Sequence, residues 1–103
     1  MAKSNKKSYI KVIDEQFIVP SSKGAGIIKF EAWKSDESIV KYNMAYINKS
    51  ITSLDNGRVL GYDNTHDFHH KHYFGEIYEL DDFKDYQDLV LRFKQEIREF
   101  ITW

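Results

Sequence analysis

All four histidines of this chain, His66, His69, His70 and His72, fall within seven consecutive positions of the stretch DNTHDFHHKH, residues 63–72. Three accounts fit such a cluster. As a metal site, the four imidazoles, with Asp63 or Asp67 as an oxygen ligand, would suit Zn, Ni or Mn. As an acid/base site, one ring takes a proton while another gives one, because imidazole titrates near pH 6.5. That is the requirement for metal-free RNA cleavage. One histidine would deprotonate a ribose 2′-hydroxyl and another would protonate the departing 5′-oxygen. Lys71 or the amide of Asn64 would stabilise the charged phosphorus centre, and Tyr62 and Tyr73 would stack on a base. The third account is a polar turn whose side chains hydrogen-bond one another.

Two physical points weigh on the choice. The spacing H-x-x-H-H-x-H matches no strong zinc signature, and adjacent histidines on a strand point to opposite faces. A bland turn is disfavoured by the repulsion that arises whenever more than one of the crowded rings is protonated. All three readings remain open on the residues alone.

The cluster needs elements to hold it. Residues 9–19 and 26–33 are rich in β-branched and aromatic residues and read as strands, joined through Pro20 and the stretch Ser21-Ser22-Lys23-Gly24. Residues 39–48 alternate, with Val40, Tyr42, Met44 and Tyr46 on one face. Asn56-Gly57 predicts a hairpin between residues 51–54 and 59–62, whose second strand runs into the histidines. Residues 73–80 form a last short strand with a bend at Gly75. From 82 to 101 the period changes: Phe83, Tyr86, Leu89, Val90, Phe93, Ile97, Phe100 and Ile101 recur at three- and four-residue steps, an amphipathic helix capped by Asp81 or Asp82. The expected fold is α+β, an antiparallel sheet of four or five strands with one C-terminal amphipathic helix packed on it.

Composition sets the remaining limits. A chain of 103 residues with 42% hydrophobic content suits one domain, read here as a flexible basic arm over residues 1–8 (Lys3, Lys6, Lys7) and an α+β domain over residues 9–103. There is no cysteine, so no disulfide frame or thiolate nucleophile is available. No apolar run approaches the length that spans a bilayer, and a cytoplasmic location without membrane attachment is the expectation. Residues 1–74 carry 11 Lys or Arg against 8 Asp or Glu, and residues 75–103 carry 4 against 8, so one end leans basic and the other acidic. That lean permits contact with a phosphate backbone without requiring it.

The run GYDNTHDFHHKH, followed by EIYEL and the helical pattern DLVLRFKQEIREFI, resembles the TumE family of bacterial and archaeal toxin–antitoxin proteins over roughly residues 25–101. The specific part is Tyr-Asp-Asn followed by His-His-x-His. By motif position Tyr62, Asp63, Asn64, His69, His70 and His72 carry over, while His66 fits only loosely. The resemblance implies a toxin whose partner is a small helix-turn-helix antitoxin. Together with the residues it points to an endoribonuclease without a cofactor, in which His66, His69, His70, His72, Asp63 and Asn64 form the catalytic set and Tyr62, Lys71 and Tyr73 bind RNA. The alternative is a small binding domain without catalysis, in which His66, His69, His70 and His72 hold Zn or another transition metal, or the sheet holds a partner. A homodimer stays open in either case.

Overall fold

The computed structural model describes residues 9–102; the basic arm over residues 1–8 and the terminal Trp103 lie outside the described residues. Six strands precede one helix: β1 (Ile10–Ile18), β2 (Ile27–Ser35), β3 (Ser38–Ile47), β4 (Arg58–Asp63), β5 (His70–Tyr73), β6 (Glu76–Glu79) and α1 (Tyr86–Glu96). Sheet order follows chain order, each strand antiparallel to the next. The fold is therefore α+β as expected, with six strands in place of four or five.

The extra strand comes from the cluster itself. Residues 70–73 pair with both β4 and β6, so half of the histidine stretch is strand and not turn. What the sequence offers as one strand over 73–80 is a turn followed by a strand. Phe74 and Gly75 both adopt positive φ (49° and 83°), the backbone of a tight two-residue hairpin.

The expected hairpin around Asn56-Gly57 is also corrected. Residues 51–54 form no strand, Ile51 and Leu54 are exposed, and β4 pairs with β3. Left-handed backbone is present, at Asp55 (φ 52°) and Asn56 (φ 56°), but it turns a ten-residue connection rather than a two-residue loop. Pairing with β3 wins because it sets Leu60 and Tyr62 beside Tyr46 and Met44, extending one apolar face.

That face carries the core. Ile28, Phe30 and Ala32 of β2, Tyr42, Met44 and Tyr46 of β3, and Leu60 and Tyr62 of β4 are buried with Tyr86, Leu89, Phe93 and Ile97 of the helical segment. Phe93 is fully buried and meets Phe30 edge to face at 5.5 Å. The helical stripe is thus the one read from spacing, although α1 is shorter than 82–101 and ends in a 3-10 turn, Ile97–Glu99. Its cap is Asp85, whose carboxylate accepts the Asp88 N–H at 2.7 Å, rather than Asp81 or Asp82. Residues 82–85 are not helical, and Phe83 packs at the edge of the core with its ring stacked on His69, centroids 3.5 Å apart. Among the described residues no α-helix packs on the opposite face of the sheet, and His69, His70 and His72 divide between the two faces.

Candidate functional site

Strand alternation sorts the cluster. In β5, His70 and His72 share one face and Lys71 and Tyr73 the other. His70 stands opposite Asp63, and His72 opposite Gly61. Lys71 lies on the α1 side, 3.1 Å from the Glu96 carboxylate and over the rings of Tyr62 and Tyr73. Tyr62 is fully buried, its hydroxyl donating to Glu96 at 2.5 Å. Burial and that bond push its pKa up. Tyr62, Lys71 and Tyr73 therefore stand together beneath α1, across the sheet from His70 and His72, and the Tyr62 ring has no open side for a base.

On the uncovered face Asp63, His70 and His72 form one buried centre, each less than a tenth exposed. The carboxylate is shared: His70 Nε2 is 2.8 Å from Oδ1, and His72 Nε2 is 3.0 Å from Oδ2. The Thr65 N–H also donates to Oδ1, at 3.0 Å. Burial works to raise the Asp63 carboxyl, but the Thr65 amide and the two imidazoles outweigh it and hold its pKa below the ordinary carboxylate value.

The other nitrogens differ in polarity, and the partners assign the protons. His70 Nδ1 faces the Phe68 carbonyl at 3.1 Å, so both nitrogens of His70 face acceptors. His72 Nδ1 instead faces a guanidinium nitrogen of Arg58 at 3.0 Å. Arginine only donates, so His72 presents a lone pair there and its N–H to Asp63. The His72 pKa is pushed down, first by burial and then by the Arg58 charge.

His69 belongs elsewhere. Its ring stacks on Phe83 and on Tyr42, and its Nδ1 is 2.9 Å from the Tyr42 hydroxyl, in a cleft of about 550 Å³ at the start of α1. Burial, with the His70 charge second, lowers its pKa. Asn64 is a clamp: its amide accepts from Tyr42 N–H at 3.1 Å and donates to the Val40 carbonyl at 2.9 Å, fixing the end of β4 against β3. His66 lies in the turn Thr65–Asp67, and its side chain lies outside the described structure. Asp67 in the same turn is exposed.

Among the described residues, the donor atoms that converge are those of Asp63, His70 and His72, within 4.8 Å of one another, while His69 of the expected metal set stands apart. A carboxylate oxygen and two imidazole nitrogens are a donor set that Zn and related metals accept.

Arg58 escaped sequence reading for a definite reason. By period-two alternation it shares a face with Leu60 and Tyr62, which is the core. A bulge intervenes: Tyr46 and Ile47 of β3 pair with Leu60 and Arg58, leaving Val59 as an extra residue. The bulge turns Arg58 to the uncovered face, where Nε donates to Asp55 at 2.7 Å and another guanidinium nitrogen lies 3.5 Å from Asp63. Gly61 clears its path, since a Cβ there would come 2.9 Å from Arg58 Cδ and 2.9 Å from the Met44 carbonyl. A glycine inside RVLGYD was the available signal.

Fold and centre together define a small α+β protein, one antiparallel meander with a helix on one face and a buried aspartate shared by two histidines on the other. The family model described as Toxin TumE matches residues 21–101, and the chain belongs to that family. Membership makes it a toxin and implies an antitoxin partner. No curated protein and no solved structure matches the chain. Among the described residues no helix is long and apolar enough to cross a membrane.

Proposed function

We propose that this toxin is a metal-independent endoribonuclease acting through Asp63, His70 and His72, with a small helix-turn-helix protein as its antitoxin. The observation that supports the reading is the opposite hydrogen-bond polarity of two rings on one carboxylate. His72 offers a lone pair at Nδ1, while His70 has an acceptor at each nitrogen. His72 takes the 2′-hydroxyl proton, the 2′-oxygen attacks phosphorus, and the bond to the 5′-oxygen breaks. His70 supplies the proton that leaves with that oxygen. The products are a 2′,3′-cyclic phosphate and a 5′-hydroxyl, and exchange with water returns the rings to their starting states. Asp63 orients both imidazoles and offsets their charge.

Incubation of the purified protein with total RNA in EDTA tests this reading. Cleavage leaving cyclic phosphate ends is expected from the wild type, and His72→Ala should lower the rate by about 10²–10⁴. Undiminished cleavage by His72→Ala would remove His72 from the chemistry.

The convergence of Asp63, His70 and His72 within 4.8 Å supports a second reading, a site for Zn or another transition metal. Arg58 counts against it. A ligating histidine ordinarily donates its other N–H to an acceptor, whereas His72 Nδ1 faces a cationic donor. One metal per chain surviving dialysis, with cleavage abolished by EDTA, would favour the metal.

A further inference from the structure

The centre is closed as it stands. All four ring nitrogens of His70 and His72 are engaged, and neither residue is more than 7% exposed. Three of those nitrogens are held by Asp63 or by the Phe68 backbone, groups fixed within a strand and its adjoining turn. The fourth, His72 Nδ1, is held by the end of a long side chain, Arg58. Arg58 also lines a cleft of about 250 Å³ on the uncovered face, together with Lys29, Asn43 and Asp55. We propose that Arg58 binds the substrate phosphodiester, and that this binding draws its guanidinium off His72 Nδ1 and uncovers the lone pair. The inference rests on reading the centre as RNA-cleaving, and adds to it the group that recognises substrate and opens the site.

Relative bond strength drives the exchange. A neutral imidazole nitrogen is a weaker acceptor than a phosphate oxygen, and hydrogen bonds between ionised partners are about twice as strong as neutral ones. The guanidinium fork suits two phosphate oxygens at once. Arg58 need not leave its anchor to turn, because the Nε bond to Asp55 holds the stem while the terminal nitrogens re-aim. Lys29 adds a second cation in the same cleft. The bulge at Val59 and the missing side chain at Gly61 are local features whose shared effect is to carry this one arginine across the strand. An arginine needed only to neutralise Asp63 would not have to reach His72.

The test uses the whole protein and a single-stranded 2′-O-methyl oligoribonucleotide, which keeps the phosphodiesters but lacks the attacking hydroxyl. In ¹⁵N-labelled wild type, saturation with the oligonucleotide is expected to move the His72 Nδ1 resonance to that of a nitrogen with no donor. Arg58→Ala should show that position without ligand. It should also weaken binding about tenfold or more and reduce the slope of log affinity against log salt by about 0.7, one phosphate contact on a single strand. Arg58→Lys should restore the slope. A His72 Nδ1 signal unmoved at saturation, no binding by the folded wild type, or Arg58→Ala binding with unchanged affinity and slope would each overturn the proposal. The probe cannot be cut, so the outcome is independent of cleavage. If His72 is released but RNA stays intact, Arg58 is a phosphodiester-binding group that uncovers His72, and the ribonuclease reading falls.

Discussion

His69 and His70 are adjacent in the chain and lie on opposite sides of the sheet. His69 is an aromatic packing residue: its ring lies flat on Phe83 and its nitrogen meets a tyrosine hydroxyl. His70 joins His72 in a polar centre around one carboxylate, whose negative charge is met by Arg58. One step along a strand changes which side of the domain a side chain serves. Four histidines in seven positions are thus at least two structural assignments, and the density that draws attention in the sequence overstates what acts together.

The largest effect that separates the two sides should come from Asp63→Ala. Removing the carboxylate leaves Arg58 and the two imidazoles without their common partner in a buried site, a loss of about 3–5 kcal/mol. His69→Ala should cost about 1–2 kcal/mol, one hydrogen bond and one ring stack, and leave RNA cleavage intact. Urea unfolding of both variants measures the gap. Equal costs would mean that the centre is open to water or that His69 belongs to it.

A smaller effect concerns acid. His72 and His69 both have pKa values lowered by burial, so between those values and the unfolded value near 6.5 the unfolded chain binds more protons. Their contribution to stability is fully present above about pH 6.5 and is lost as pH falls through the folded values. Asp63, also lowered, adds a loss of the same sign only below about pH 4. The melting temperature should therefore fall from pH 7 to pH 5, and His72→Gln should flatten that slope. A melting temperature that rises on acidification would show that His69 and His72 gain protons on folding.

The smallest expected effect is at Tyr42. Tyr42→Phe deletes the hydroxyl bonded to His69 and should cost about 1 kcal/mol without affecting the Asp63 centre. A change in cleavage rate would reveal communication through the sheet that the geometry does not suggest.

Much of the fold was legible because period and burial agree. The alternation through Tyr42, Met44 and Tyr46 and the stripe through Tyr86, Leu89, Phe93 and Ile97 face each other across the core. Pairing was harder to read, since Asn56-Gly57 signals reversal of the chain but not which strands meet beyond it. The site was half legible: Asp63, His70 and His72 stand together, whereas Lys71, Tyr62 and Tyr73 went to the helical side by the alternation that unites the two histidines. Burial changes the histidines' expected behaviour too. In an exposed turn their replacement would shift stability by about 0.5 kcal/mol or less, but packed at 5% and 7% exposure they carry structural weight.

Val59 has a consequence for anyone transplanting this centre. Asp63, His70 and His72 can be copied onto another antiparallel pair by matching register, because their side is set by odd and even positions. The arginine cannot. Its side depends on one supernumerary residue, and a graft trimmed to a regular hairpin would reproduce every side chain in the centre while aiming the guanidinium into the hydrophobic interior. The unit of engineering here is a count of residues as much as a choice of them.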